Sequence, residues 1–308
     1  MALPLTPPLP PQLARSRASL PEGDGWAYEP KYDGFRAIVF VDGEETYLQS
    51  RNGRPLSRYF PELRFPPGRY VLDGEIVAAS FDTLGQRIHP AASRIARLAE
   101  ETPASYYAFD LLARDDEILL ERSYDERRAA LEALVTEPIV LTDVVRRAAD
   151  AQHWLHEVEG VIAKETAAPY LPGERTGMVK IKRVRTVDAV VMGWRPGKAE
   201  RTVGAIILGL YTPDGRLREV GHSSGFSAKE KRELVDFFAP YQTGERGSGE
   251  PSRWTQGREL EWVALRPELV VEITFDHVSD GRIRHGSKVQ RWRDDKAPEA
   301  CTVDQLDQ

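Results

Sequence analysis

Alternating hydrophobic and polar positions predict a first half built mainly from short strands. Residues 37–41 and 45–50 are two such runs, and the turn at Asp42-Gly43 between them is typical of a β-hairpin. The same alternation predicts four further strands in this half, at residues 70–77, 106–112, 159–164 and 178–182. These strands are the expected framework of a first domain.

Helical spacing interrupts the strands at three places in this half. We predict helices at residues 93–101, 123–134 and 142–158. The second opens with Ser123 and Glu126, which form the pattern of a capping box. The two longer helices are interpreted as scaffold.

The second half alternates in the same way and contains one clear helix. That helix spans residues 227–238 and opens with a second capping box, Ser227 and Glu230. Six strands are predicted around it, at residues 187–194, 204–211, 217–222, 260–265, 269–277 and 283–292. Short strands with a single helix fit a small barrel, and an OB-fold is the natural candidate.

The length of the chain favours two domains. Its 308 residues exceed the usual size of one domain, and the pattern changes at about Val184 to Thr186. We therefore expect a first domain at residues 1–185, with an extended proline-rich N-terminal arm, and an OB-fold domain at residues 186–308. The expected fold class is α+β with antiparallel sheets.

Charge gives a mixed indication of partners. The net charge of −6 does not suggest a nucleic-acid binder, because duplex binding depends on neutralising phosphates. The cations are clustered, however, with eight Lys or Arg against two acids between Arg175 and Arg201, and six against two between Arg282 and Lys296. Each cluster alone could be a solvated face, but two clusters beside phosphate-handling motifs favour a path for a polyanion.

One segment has the composition of a nucleophilic site. Lys31 stands beside an acid, a glycine and Arg36 at the mouth of a predicted strand, so we interpret it as a nucleophile toward a phosphate. An ordinary lysine has a pKa of about 10.4, and attack requires burial, neighbouring cations or a metal to favour the neutral amine. The alternative is a lysine at a strand edge that pairs with Asp33.

A second segment would supply such cations. In Met178-Val179-Lys180-Ile181-Lys182, apolar residues alternate with lysine, so both ammonium groups emerge on one face of a strand. That face suits an α-phosphate, and its charge would also favour a neutral Lys31.

These residues carry a family resemblance. Lys31-x-Asp33-Gly34-x-Arg36 resembles motif I of the covalent nucleotidyltransferases, which include ATP-dependent DNA ligases, RNA ligases and messenger-RNA capping enzymes. Six further ligase-type motifs follow in the family's order: Ser50-Arg51-Asn52 (Ia), Asp73-Gly74-Glu75 (III), Phe109 (IIIa), Glu159 to Lys164 (IV), Lys180 and Lys182 (V), and Arg291 to Lys296 (VI). The whole pattern is similar to compact bacterial ATP-dependent DNA ligases of the actinobacterial C group.

The resemblance implies a role for each motif. Lys31, Lys180, Lys182 and Arg36 would be catalytic, and Glu75 and Glu159 would lie near a divalent metal. The residues expected to contact the nucleotide are Glu29, Arg51, Glu75, Phe109, Lys164, Lys180 and Lys182, with Phe109 stacking on the purine. DNA or triphosphate would be bound by Arg51, Arg291, Arg293, Asp295 and Lys296. One departure is Met178, where the family often has an aromatic residue.

Bland alternatives exist for several of these positions. Arg51 could belong to an ordinary polar turn, Phe109 to a core, and Glu159 and Lys164 to a surface ion pair. Asp73 is interpreted as structural. The motif VI cations could be a solvated run near a terminus.

The implied activity is ATP-dependent sealing of nicked duplex DNA in repair. Lys31 would take AMP from ATP, pass it to the 5′-phosphate at the nick, and the 3′-hydroxyl would displace it, with Mg²⁺ or Mn²⁺ as cofactor. The expected protein is a monomer that works with nicked DNA and with a repair polymerase or primase-polymerase. With one cysteine and no signal or membrane segment, a cytoplasmic, nucleoid-associated location is expected.

Four alternatives stay open or disfavoured on the sequence alone. A capping guanylyltransferase shares motif I and the barrel, and an RNA ligase shares the chemistry. An NAD-dependent ligase is disfavoured because Cys301, the single cysteine, cannot form a tetracysteine zinc module. A non-catalytic nucleic-acid-binding protein would use the barrel alone.

Overall fold

The structure, a computed structural model, describes residues 3–183, 185–248, 261–275, 278–279, 281–283 and 287–307. Two compact units divide the chain between residues 183 and 184. Separate sheets and separate hydrophobic cores lie in the two units.

The described residues of the first unit contain ten strands and five α-helices. In chain order these are β1 (Arg15–Ser16), β2 (Trp26–Lys31), β3 (Phe35–Gly43), β4 (Glu45–Ser50), β5 (Gly68–Val77), α1 (Phe81–Arg87), α2 (Ala92–Glu101), β6 (Ser105–Arg114), β7 (Glu117–Ile118), α3 (Tyr124–Leu134), β8 (Val140–Leu141), α4 (Ala148–Ala151), α5 (Trp154–Glu157), β9 (Gly160–Glu165) and β10 (Met178–Lys182).

Two sheets organise this unit. One has the order β1-β10-β9-β2, and the other has the order β4-β3-β5-β6-β7 with β8 beside β6. The pairs β1–β10 and β6–β8 are parallel, and the other neighbours are antiparallel. The two sheets carry all the motifs between Lys31 and Lys182.

The central strand β3 is apolar along its whole middle because both of its faces are covered. Val39 and its alternate neighbours pack into the main core beside Leu72 and Leu111. Ile38 and Phe40 point to the other face, where leucines of the N-terminal arm pack against them. Burying each such side chain contributes about 1.5–3 kcal/mol, so the arm is part of the core of this unit.

The N-terminal arm is also tied down by hydrogen bonds. The backbone of Leu9 exchanges two bonds with the side chain of the buried Gln49, and the backbone N–H of Gln12 donates to the hydroxyl of Tyr170. Strand β1 then continues the arm along β10, pairing Ser16 with Lys180. The arm therefore supports the strand that bears the motif V lysines.

The described residues of the second unit form a seven-stranded antiparallel sheet, a separate two-stranded hairpin and one α-helix. Its elements are β11 (Arg185–Pro196), β12 (Val203–Tyr211), β13 (Leu217–Ser223), α6 (Ala228–Phe238), β14 (Gln242–Ser248), β15 (Glu261–Leu265), β16 (Val270–Phe275), β17 (Val278–Ser279), β18 (Arg282–Ile283) and β19 (Lys288–Trp292). The sheet order is β13-β12-β11-β15-β14, with β16 pairing with both β11 and β19, while β17 and β18 form a separate hairpin.

A single core fills this unit. Leu208, Val271 and Phe238 of α6 are fully or almost fully buried in it. Cys301 lies in the same core with no exposed surface, and burial raises the pKa of its thiol to about 11. The α+β fold with antiparallel sheets and a C-terminal OB-fold region is confirmed.

Most predicted elements are present, including both capping boxes, at Ser123 and Ser227. Parts of three predicted strands, at Leu260, at residues 276–277 and at residues 284–286, lie outside the described residues, as does Val184 at the predicted boundary. The elements that were not predicted include β2, β14 and α1; β14 contains two glycines and little alternation, and α1 contains a glycine.

The predicted long helix at residues 142–158 is wrong. Tyr28 and Val145 exchange two backbone hydrogen bonds, of 2.9 and 3.0 Å, which hold the chain extended at the position where the helix would begin. Only the short helices α4 and α5 remain beyond that point.

Among the described residues, no helix is both long and apolar enough to cross a membrane.

Candidate active site

Lys31 ends strand β2 and enters a cavity of the first unit. Its neighbour across the sheet is Gly160 of β9, which follows Glu159, and the Lys31 ammonium contacts the Glu159 carboxylate. The lysine is about one-fifth exposed. The pKa of Lys31 is lowered to about 8, mainly by burial; Lys182 and Lys180 also lower it, while Glu75 and Asp33 raise it.

The motif V lysines lie beside this amine on β10. Lys182 Nζ is 2.8 Å from Glu159 Oε1, so one carboxylate contacts two lysines of the site. The close pairing of β9 with β10 requires a glycine at position 160, where φ is +152° and a Cβ atom would lie 2.1 Å from the carbonyl oxygen of Ile181. The backbone thus brings motifs I, IV and V together.

Arg36 is held on the neighbouring sheet by a buried carboxylate. Its Nε and Nη2 donate to Asp73 at 3.0 and 2.6 Å, and the Tyr170 hydroxyl donates to the same carboxylate at 2.6 Å. Asp73 keeps the pKa of Arg36 above its ordinary value against the effect of burial. The structural interpretation of Asp73 agrees with these contacts.

Glu75 stands opposite Arg36 in the register of β3 and β5. Burial raises the pKa of Glu75 to about 7, although Arg36 and Lys31 pull it down. Gly34 allows the two strands to approach here, because a Cβ atom at that position would be 2.2 Å from the carbonyl oxygen of Ile76 and 2.8 Å from the Glu75 side chain. The motif I glycine is therefore needed for packing around the carboxylate.

Phe109 forms another wall of the cavity and is flanked by two cations. Lys164 Nζ lies 4.7 Å from the ring centroid, and Arg36 Cζ lies 5.2 Å from it. Lys164 also donates to the buried Glu29, which accepts a 2.6 Å hydrogen bond from Tyr124. Motifs IIIa and IV thus share a buried charge network with the start of motif I.

The cavity that these residues surround has a volume of about 800 Å³. Arg51 lines it from the turn after β4, and Met178 lines it as a buried residue. Every lining residue comes from positions 13–182, and ten of them were predicted from the sequence: Glu29, Lys31, Arg36, Arg51, Glu75, Phe109, Glu159, Lys164, Lys180 and Lys182.

The four motif VI residues lie in the second unit and not in this cavity lining. Arg291 pairs with Glu272, while Arg293 pairs with Asp188 and Asp295. Lys296 Nζ is 2.7 Å from Asp188. Each predicted cation of motif VI is therefore already paired with a carboxylate of its own unit.

Sequence reasoning did not identify three residues that organise these contacts. Tyr124, Tyr170 and Asp188 bind Glu29, Asp73 and the motif VI cations respectively. No local pattern marks the tyrosines, since their partners are about 95 residues away in sequence. Asp188 had a weak signal, as an acid inside a predicted apolar strand.

Comparison with known proteins gives the family of the chain. A model described as the ATP dependent DNA ligase domain matches residues 11–182, and one described as the ATP dependent DNA ligase C terminal region matches residues 199–296. The chain belongs to the ATP-dependent DNA ligase family. The ligase is 44% identical to DNA ligase C1 of Mycolicibacterium smegmatis over 335 aligned residues, covering 100% of this chain and 96% of that protein.

Other relatives agree. DNA ligase C of Mycobacterium tuberculosis is 42% identical, with the same coverage of both chains. The crystal structure of the ligase domain of M. tuberculosis LigD matches with a TM-score of 0.52 at 30% identity, covering 96% of this ligase and 98% of that chain. The predictions of the family, of an ATP-dependent DNA ligase activity and of DNA as substrate are confirmed.

Proposed function

We propose that Lys31 is the residue of this ligase that carries AMP. The observation that supports it is the convergence, in one cavity, of the Lys31 amine with Lys180, Lys182 and Glu159. Two cations and partial burial favour the neutral, nucleophilic amine and would also stabilise negative charge on an α-phosphate.

In the proposed sequence, the Lys31 nitrogen attacks the α-phosphorus of ATP. The bond to the β-phosphate breaks, so pyrophosphate leaves and a lysine–AMP phosphoramidate forms. The 5′-phosphate oxygen at a nick then attacks the same phosphorus and releases Lys31. Finally the 3′-hydroxyl attacks the 5′-phosphate, and AMP leaves as the phosphodiester forms.

We propose that the purine lies against Phe109, flanked by Lys164, with Glu29 at the base of the cavity. Lys180 and Lys182 would contact the α-phosphate, and Arg36 would present Nη1 to the ligand because Nε and Nη2 face Asp73. Arg51 lies in an exposed turn and is proposed to bind a DNA phosphate.

Mg²⁺, or Mn²⁺ in its place, is proposed at Glu75 and Glu159. Among the described residues no group of three or more His, Cys, Asp or Glu is arranged to hold a metal. Mg²⁺ is commonly held by one or two carboxylates together with substrate phosphates, so the two glutamates in the cavity fit it. The bound ion would neutralise phosphate charge.

We propose a different role in the reaction for each of the two units. We propose residues 1–185 as the adenylation domain and residues 186–308 as the OB-fold domain that supplies Arg291, Arg293, Asp295 and Lys296 to the triphosphate or the DNA. Since pyrophosphate leaves in the first step, cations near it would stabilise the leaving group.

The setting proposed is end-joining repair. A relative at 34% identity over 89% of this chain is named a multifunctional non-homologous end joining protein LigD, and this chain spans 37% of it. We propose that the ligase acts as a nucleoid-associated monomer in the cytoplasm and joins ends prepared by a separate repair polymerase or primase-polymerase.

The test of Lys31 is intact mass after incubation with ATP and Mg²⁺, followed by a chase with nicked duplex DNA. The wild-type ligase should gain one AMP and lose it on the chase, while Lys31→Ala should gain none. Lys229→Ala, which removes an exposed lysine outside both basic clusters, should behave as wild type. Because the enzyme can carry AMP from its host, samples are first treated with pyrophosphate. An adduct on Lys31→Ala would refute the assignment.

A further inference from the structure

A row of charged residues crosses three neighbouring strands of the second unit. Asp188 of β11 stands directly opposite Glu272 of β16, and Glu272 stands opposite Arg291 of β19. Two carboxylates opposite each other on one face repel, and such a pair is destabilising unless a cation lies nearby. The two carboxylates of Asp188 and Glu272 therefore need a neighbouring cation to offset their repulsion.

Arg293 is that cation, and all three nitrogens of its guanidinium group contact carboxylates. Its Nη1 lies 3.0 Å from both oxygens of Asp188 and 3.7 Å from Glu272. Its Nε and Nη2 donate to Asp295 at 2.8 and 2.9 Å. All three guanidinium nitrogens thus face carboxylates, which fix the position of the Arg293 side chain in the unit.

Asp188 also fixes the second cation of the motif. Lys296 Nζ is 2.7 Å from Asp188 Oδ2, and the Asp188 side chain is only 12% exposed. The backbone of Asp188 is itself held, since its N–H donates to Gln305 at 3.1 Å and its carbonyl accepts from Gln305 at 3.2 Å. One carboxylate, anchored on both sides, therefore sets the positions of Arg293 and Lys296 together.

We propose that Asp188 is a positioning residue for lysine adenylylation, which acts by holding Arg293 and Lys296 in the arrangement that receives the triphosphate. This inference rests on the proposed role of motif VI. Asparagine at position 188 would keep the shape but lose the charge, and its amide group would point a donor at a donor. The motif VI cations would then shift, and a misplacement of about 1 Å in a positioning contact can cost roughly 100-fold in rate.

The two halves of the reaction separate a positioning role from a structural one. Adenylylation of Lys31 releases pyrophosphate, whereas sealing of a nick that already carries 5′-AMP does not. Asp188→Asn should therefore slow single-turnover adenylylation by at least roughly tenfold, while sealing of the pre-adenylylated nick by the same sample should stay within about twofold of wild type.

Glu219 offers a matched control in the same sheet. Its side chain is also 12% exposed, and it holds Arg282 at 2.7 Å outside motif VI. Glu219→Gln and Asp188→Asn should lower Tm by a similar amount, about 2–4 °C, but Glu219→Gln should adenylylate at the wild-type rate. Asp188→Glu retains the charge and should recover part of the adenylylation rate.

The outcomes distinguish this inference from the function on which it rests. Equal losses in both steps, or none in either, would overturn the positioning role of Asp188. If Lys296→Ala slows adenylylation and Asp188→Asn does not, the inference alone fails. If Lys296→Ala adenylylates at the wild-type rate, the proposed triphosphate role of motif VI fails and the inference fails with it.

Discussion

At the scale of single residues, the pKa of Lys31 is set by neighbouring groups with opposite effects. Burial and the two motif V lysines lower its pKa to about 8, while Glu75 and Asp33 raise it. The amine is therefore partly neutral at physiological pH and yet keeps an acidic neighbour, Glu159, in contact. The reactivity of the ligase should depend on this balance.

We expect the rate of Lys31 adenylylation to rise with pH and to level off above about pH 8, because the neutral amine attacks and the ammonium does not. Lys182→Ala removes a cation that lowers the pKa, so the midpoint should move up. Glu75→Gln removes a carboxylate that raises it, so the midpoint should move down. Single-turnover formation of the AMP adduct between pH 6 and pH 10, at saturating ATP, measures all three midpoints.

In that experiment the position of the midpoint is the result, since both variants will also be slower. Lys229→Ala, which changes an exposed lysine outside both basic clusters, should leave the midpoint unchanged. Midpoints that move together, or not at all, would mean that these charges do not control Lys31.

The residues proposed to do the chemistry were largely predictable as lining residues of one cavity, and the residues that hold them were not. Lys31, Glu159 and Lys182 follow from local patterns, and the structure places them in one cavity. Tyr124 and Tyr170 were missed because their hydrogen bonds depend on how distant strands and helices pack. The roles of all the predicted site residues remain predictions.

At the scale of elements, local patterns predicted an element correctly where its own residues supply the hydrogen bonds at its end. Helices α3 and α6 begin at serines whose side chains accept the N3 backbone N–H, and both capping boxes are complete. The predicted helix at residues 142–158 failed because Val145 forms its hydrogen bonds with Tyr28 of β2, a partner that no local pattern indicates. Tertiary pairing overrode the helical spacing there.

Gly34→Ala tests whether the approach of β3 to β5 supports the site. A methyl group would press on the Ile76 carbonyl and on Glu75, so we expect a loss of about 1–3 kcal/mol in unfolding free energy and slower adenylylation. Gly85→Ala is the control, since nothing lies within 4 Å of its added Cβ and a helical alanine should stabilise by roughly 0.5–1 kcal/mol. Urea unfolding measures both variants, and equal effects would contradict the packing argument.

At the scale of the whole molecule, each unit has its own core. Leu111 is fully buried in a core of the first unit, and Leu208 is fully buried in the core of the second. The described residues that line the cavity around Lys31 all belong to the first unit. Unfolding of the chain should therefore not be a single two-state event.

We expect two transitions in urea, followed by circular dichroism and tryptophan fluorescence. Leu111→Ala should weaken one and Leu208→Ala the other, each by about 2–5 kcal/mol. AMP lacks the β- and γ-phosphates, so at a hundredfold excess over its Kd it should stabilise only the transition sensitive to Leu111, by about 2.7 kcal/mol. One transition that shifts with every change would refute this independence.

The buried Cys301 allows local opening of the second unit to be measured by thiol labelling. It is the single cysteine of the chain, and its sulfur lies against the Ala297 carbonyl, one residue after Lys296. A thiol reagent can reach that sulfur only while this end of the barrel is open, so the labelling rate of the unaltered enzyme counts those openings. The same rate, measured with and without ATP, reports how often the motif VI segment comes apart and whether substrate holds it closed.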